Sequence, residues 1–130
     1  MLYVADTMAL VWHLEKHRRL GAQARKVLQE ADQGLHTIVI SGATLMEILY
    51  LSERRCISVD LTVLKNLLAR SQSYSVASVS FEVIDATATV DDIPELHDRV
   101  IAGTAAWLNV PILTNDPDIT ASRHVQTLWR

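Results

Sequence analysis

A chain of 130 residues, 49% hydrophobic and 21% charged with a formal net charge of −3, is too apolar and too weakly charged to remain disordered. At this length one domain spanning residues 1–130 is expected, burying roughly two thirds of its unfolded surface. Cys56 is the only cysteine, which excludes an internal disulfide and a thiolate metal cage and suits a reducing cytoplasm.

The start, MLYVAD, has no basic segment ahead of its apolar run, so no export signal is expected. The longest nearly apolar stretch, Thr37 to Leu51, contains Glu47 and is too short to span a bilayer, so no membrane role is expected either. The negative charge argues only weakly against a nucleic-acid partner. Giving four of the 15 acids to a metal ion would leave the chain close to neutral.

Met1 to Ala5 has the apolar continuity of a buried strand, and Ala9, Leu10, Trp12 and Leu14 then mark a helix. Asp6 sits at that junction. Leu20, Ala24, Val27, Leu28 and Ala31 recur at helical spacing with charged residues opposite, which predicts an amphipathic second helix ended by Gly34. The β-branched run Thr37 to Ile40 predicts a second strand, and Ser41 opens a helix toward Arg55. Leu61, Leu64, Leu67 and Leu68 mark a further helix, followed by a strand at Tyr74 to Val79 and a helix at Phe81 to Thr89. Val90 to Leu96, with its acids and Pro94, reads as a loop. A helix from Asp98 to Asn109, a strand from Val110 to Thr114 and an edge strand within Val125 to Leu128 complete the chain. Strands separated by helices imply an α/β fold with a mostly parallel sheet, whose ligands bind outside the C-terminal ends of the strands.

Several acids stand where the pattern asks for something else. Asp6 is the only charge in the first fourteen residues; it reads either as a helix N-cap or as a ligand at the strand's rim. Glu47 is the only charge between Thr37 and Ser52, on a helix whose apolar residues cover most faces, which predicts burial. It then needs a partner, or it lies in a narrow polar stripe that reaches water. Asp98 shares a helical face with Ile101, Ala102 and Ala105, though its charge would also suit a helix N-terminus. Asp116 directly follows a strand. One divalent cation, Mg²⁺ or Mn²⁺, held by hard oxygen ligands would account for all four together.

Three stretches, VADTMALVWHL, SGATLMEILYL and LHDRVIAGTAAWLNVPILTNDPDI, resemble the PIN-domain ribonucleases, most closely the VapC-type toxins of toxin–antitoxin pairs. The resemblance implies a three-layer α/β/α sandwich around a parallel sheet, and Asp6, Glu47, Asp98 and Asp116 as the acidic quartet holding Mg²⁺ or Mn²⁺. It implies hydrolysis of an RNA phosphodiester, a small antitoxin protein as partner, and a homodimer. Thr114 matches the family's hydroxyl residue before the last acid, and Asp118 is an accessory candidate rather than a direct ligand. Met8 and Gly103 depart from residues frequent in relatives; neither departure removes a ligand. A housekeeping PIN nuclease in RNA maturation, or a PIN-like module that binds RNA or protein without cutting, would share these features.

Other signals are weaker. His13 and His17 are spaced i, i+4 but lack a third ligand, and HLEKH is not a zinc-protease motif, so both read as surface histidines. Lys16, Arg18 and Arg19, and likewise Arg54 and Arg55, suit solvated helix ends or RNA steering. Arg99 is placed to touch a substrate phosphate or to pair with a neighbouring acid. Leu61, Leu64 and Leu68 read mainly as core. Haloacid-dehalogenase-like phosphatases want a DxD on the first strand, receivers a lysine after a late strand, and Toprim nucleases a glutamate on the first strand; all three are missing.

Overall fold

The computed structural model describes all residues, 1–130. In chain order the elements are β1 (Leu2–Ala5), α1 (Thr7–Leu14), α2 (Ala22–Asp32), β2 (Thr37–Ser41), α3 (Gly42–Glu53), α4 (Leu61–Arg70), β3 (Tyr74–Ala77), α5 (Phe81–Thr89), α6 (Leu96–Leu108), β4 (Ile112–Leu113), α7 (Pro117–Ala121) and β5 (Thr127–Leu128). The five strands form one parallel sheet in the order β3-β2-β1-β4-β5. This is the expected α/β/α sandwich.

Alternation along the strands builds two cores, one on each face. Tyr3, Ala5, Ile38, Ile40, Tyr74 and Leu113 pack with Leu10 and Val11 of α1, Leu28 of α2 and Leu64 of α4. Val4, Val39 and Ile112 point the other way, toward Val83 of α5 and Ile101, Ala102 and Ala105 of α6. Burying a side chain such as Leu10 or Ile40 completely contributes roughly 1.5–3 kcal/mol. The strands read as near-continuous apolar runs because both faces are covered.

Strand order reverses at β1, whose neighbours are β2 on one side and β4 on the other. The crevice outside the carboxyl ends of β1 and β4 is therefore the topological switch point. Register places Ala5 beside Leu113, so the next residues, Asp6 and Thr114, emerge side by side. The Asp6 amide donates to the Leu113 carbonyl at 3.0 Å and closes the ladder there.

The structure differs from expectation in four places. Helix α6 starts at Leu96 rather than Asp98, because the Glu95 side chain accepts the Asp98 N–H at 2.7 Å and caps it. Strand β3 stops at Ala77 rather than Val79, β4 has only Ile112 and Leu113, and β5 only Thr127 and Leu128. A short helix, α7, follows Asp116 where no element was expected; Asp116 caps it and Pro117 occupies its first position, where a missing N–H costs nothing. Finally, α3 is not buried all round: Ala43, Thr44 and Ile48 are, while Met46, Leu49 and Tyr50 are exposed. Its apolar surface exceeds what one face of the sheet can cover.

Gly103 sets the spacing of α5 against α6. A Cβ there would lie 2.0 Å from Thr87 Oγ1 and 2.7 Å from Thr87 Cα. Alanine normally favours a helix by about 1 kcal/mol over glycine, yet here the overlap, which includes the Thr87 backbone, forces the helices apart at a cost of about 2–3 kcal/mol, the upper part of the usual range. Gly103→Ala is therefore expected to lower stability by about 1–2 kcal/mol net, read from the midpoint of urea unfolding. An unchanged or raised midpoint would show that the helices separate freely.

Candidate active site

Asp6, Glu47, Asp98 and Asp116 all line one cleft of about 420 Å³ at the switch point, together with Thr7, Met8, Trp12, Glu95, Asn115 and Trp129. Four separate elements deliver the quartet: the end of β1, the middle of α3, the first turn of α6 and the segment after β4. No lysine or arginine lines the cleft.

Asp6 is nearly buried and doubly held. Its Oδ1 accepts the Ala9 N–H at 2.8 Å, capping α1, while its Oδ2 accepts the Thr114 hydroxyl. The hydroxyl oxygen of Thr114 in turn accepts the Asp116 N–H at 3.0 Å. One buried threonine thus ties two acids of the quartet together. Asp116 Oδ1 accepts the N–H groups of Asp118 and Ile119 at 2.9 and 3.1 Å, leaving its second oxygen outside these bonds. The cap and ligand readings of Asp6 are compatible, because each carboxylate oxygen accepts one hydrogen bond here and keeps a second lone pair.

Glu47 leans from α3 toward α1, where the Thr7 hydroxyl donates to its Oε1 at 2.6 Å; Thr7 also contacts the buried Thr44 hydroxyl at 3.2 Å. Glu47 is half-buried, so the polar partner that the sequence demanded is present. The aromatic wall is fixed from the chain's end. The Trp129 carbonyl accepts the Gln23 and Ala24 N–H groups at 3.0 and 3.1 Å, taking the place of a side-chain cap on α2. Gly21 permits this approach, since a Cβ there would come within 2.2 Å of that carbonyl oxygen.

Crowding shows in the proton affinities. Burial raises the Asp6 carboxyl to about 6, opposed by the Thr114 and Ala9 hydrogen bonds and aided by the charges of Asp116 and Glu47. Asp98 rises to about 7 through burial, then through the negative charges of Asp116, Glu95, Glu47 and Asp6. Such a cleft favours any positive charge that enters it.

The remaining candidates lie elsewhere. Asp118 is exposed on the first turn of α7 and does not line the cleft. Arg99 turns away: its Nε donates to the Val90 carbonyl at 2.6 Å and its Nη2 to the Ala88 carbonyl at 3.2 Å, at the end of α5. It pairs with no acid. His13 bonds Asp32 at 2.8 Å, and His17 stacks on Trp12. Five cleft residues were not anticipated as such: Thr7, Trp12, Glu95, Asn115 and Trp129. Thr7, Glu95 and Asn115 left signals, a hydroxyl directly after the first acid, an acid three residues before Asp98 and an amide between Thr114 and Asp116; Trp12 read only as an apolar helix residue, and Trp129 left no signal, since only chain return places it.

No three of the cleft's carboxylates bring their oxygens within 4.8 Å of one another, so it is wider than a closed cage. The tighter group of Asp91, Asp92 and His124 is a clasp between loops: Asp92 accepts from Ser122 and the Arg123 N–H, and Asp91 bonds His124 at 3.0 Å. An all-oxygen, open arrangement fits Mg²⁺ or Mn²⁺, which keep several waters and need only one or two carboxylates directly. It has none of the cysteine or histidine ligands on which closed structural zinc sites are built.

Fold and cleft together define a parallel α/β domain with an acidic centre at its switch point. The chain belongs to the PIN domain family, whose model matches residues 3–124. Among solved structures it is similar to VapBC2 from Rickettsia felis bound to a DNA fragment from their promoter, at 18% identity and a TM-score of 0.71 over 100% of both chains. DNA-bound VapBC from Salmonella typhimurium matches at 18% identity and a TM-score of 0.68, covering 98% of each chain. Mycobacterium tuberculosis VapC20, a sarcin-ricin loop cleaving toxin, matches at 16% identity and 0.59, over 97% of this chain and 99% of that one. No curated relative matches the chain.

A carboxyl whose folded pKa is raised contributes stability that is present below its unfolded value, near 4, and lost as pH rises through the folded value. For Asp98 that window runs from about 4 to about 7. In EDTA at pH 8, Asp98→Asn is expected to raise the melting temperature by roughly 3–6 °C, corresponding to about 1 kcal/mol after discounting for solvent screening. The gain should vanish toward pH 4. Equal melting temperatures at both pH values would mean that the charges are already screened.

Proposed function

We propose that this protein is a metal-dependent endoribonuclease and the toxin of a toxin–antitoxin pair. The observation that carries the reading is the convergence of Asp6, Glu47, Asp98 and Asp116 from four elements on one cleft lined by no lysine or arginine. Membership of the PIN family and a fold shared with VapC20, itself a cleaving toxin, support it.

Asp6, Glu47, Asp98 and Asp116 would hold Mg²⁺ or Mn²⁺. A bound divalent cation supplies charge neutralisation at a phosphate oxygen and lowers the pKa of water for attack on phosphorus. The chain's own work is placement. Thr114 orients Asp6 and the segment carrying Asp116; Thr7 orients Glu47. Asn115 offers an uncharged amide at the rim, and Met8, Trp12 and Trp129 form the apolar side against which a nucleotide can rest.

The proposed partners are an RNA substrate and an antitoxin protein, since the similar folds include a toxin–antitoxin complex from Klebsiella pneumoniae. A homodimer is proposed as well, with exposed Met46, Leu49 and Tyr50 of α3 as apolar surface available to it. No helix is long and apolar enough to cross a membrane, and the proposed place of action is the cytoplasm.

Purified protein is expected to cut structured RNA with Mg²⁺ or Mn²⁺ and not with EDTA. Asp98→Ala should abolish the cutting; equal cleavage by the variant would point to a contaminant or another site. Thr7→Val keeps the shape but removes the hydroxyl on Glu47. It should lower metal affinity or activity roughly 10–100-fold while the protein stays folded, the usual effect of losing a group that orients a ligand. Titration of cleavage against Mn²⁺ concentration measures this.

A further inference from the structure

The acidic cleft shares a wall with a second concavity of about 440 Å³, and the shared residue is Trp12. The two differ in charge. Lys16, Arg25 and Arg70 line the second pocket with one acid, Asp32, which is already engaged by the Tyr74 hydroxyl at 2.7 Å and by His13 at 2.8 Å. Three aromatic rings run from one concavity into the other: Trp129 in the acidic cleft, Trp12 between them at 6.0 Å, and His17 in the basic pocket, stacked on Trp12 at 5.2 Å.

We propose that this basic pocket is the anchor for the sugar–phosphate backbone of single-stranded RNA next to the bond being cut, with the aromatic ridge as the surface its bases cross. The inference rests on the ribonuclease reading. An acidic cleft repels every phosphate except the one its metal contacts, so a polyanionic substrate needs cations beside the cleft. The pocket supplies them where the aromatic wall continues, the pairing of cationic track and stacking surface that unspecific single-strand binding uses.

Two details indicate placement. Arg25 is fixed by donating Nη2 to the Leu20 carbonyl at 2.7 Å, which orients its guanidinium without cancelling the charge. Lys16 closes α1 in the left-handed conformation, φ 56°, with its own N–H on His13 and the His17 N–H on Trp12. Glycine is the usual residue there because it has no Cβ to strain. Arg55 makes a similar turn after α3, so the turn alone marks nothing; the pocket distinguishes Lys16.

The test uses Lys16→Gly, Arg70→Gln and, as a control, Lys26→Gln, an exposed cation of α2 outside the pocket. Binding of a fluorescent single-stranded RNA is followed by anisotropy in EDTA across a salt series, and cleavage kinetics are followed in Mn²⁺. Lys16→Gly should keep or raise the melting temperature yet weaken binding. Each pocket variant should lower the slope of log K against log salt by about 0.7, raise KM several-fold and leave kcat within about twofold. Lys26→Gln should change neither. Unchanged slopes and KM with cleavage intact would overturn this inference alone, as would variants that bind RNA normally but escape an antitoxin, which would assign the pocket to protein. Absence of cleavage under every metal, with the slopes altered as described, would overturn the ribonuclease reading and leave the RNA anchor standing.

Discussion

Burial of several carboxylates side by side in a partly dry cleft is the constraint around which this molecule is arranged. Burial first, and then the negative charge of their neighbours, raises the Asp6 and Asp98 carboxyls well above the usual carboxylate range, so the cleft carries an electrostatic cost that a flexible chain would relieve by letting the acids swing apart. Local bonds hold Asp6, Glu47 and Asp116 in place. Three of the cleft's acids also cap helices: Asp6 on α1, Glu95 on α6 and Asp116 on α7. The N–H groups and the favourable end of each helix offset part of the negative charge. Burial and repulsion together set a cost of charge in this cleft that a bound positive charge would relieve.

The sheet turns this arrangement into a site. Parallel strands present all their carboxyl ends on one edge, and the reversal of order at β1 leaves a crevice there. Since Ala5 pairs with Leu113, Asp6 and Thr114 meet without any long side chain reaching across. The rest of the cleft is brought by helices that are themselves packed into the two cores, so moving Glu47 or Asp98 means repacking Ile48 of α3 or Ile101 of α6. Rigidity comes from the core and charge from the rim.

Charge is also divided over the surface. The cleft has acids and no lysine or arginine, its neighbour has three such cations, and Trp12 stands between. A net charge of −3 hides this, because opposite charges gathered in separate places cancel in a sum but not in a field. The net charge by itself therefore says little about an RNA partner.

Much was legible in the chain itself. Strand and helix order followed from periodicity; Asp6 and Glu47 stood out because each interrupts an apolar stretch, Asp98 because it shares a face with Ile101 and Ala105, and Asp116 because it follows a strand. The Asp116–Pro117 pair held a helix-start signal for α7, although five residues are too few for periodicity to show. What no local pattern contains is long-range placement. The return of Trp129 over the N-terminus of α2, the turning of Arg99 onto the end of α5, and the wall shared by acidic and basic pockets depend on contacts between residues far apart in the chain. Sequence by itself determined which residues carry charge and which faces are apolar, since both are properties of short segments. Only tertiary structure decided which charges meet, because strand order and register are settled by packing the whole sheet between its two layers of helices.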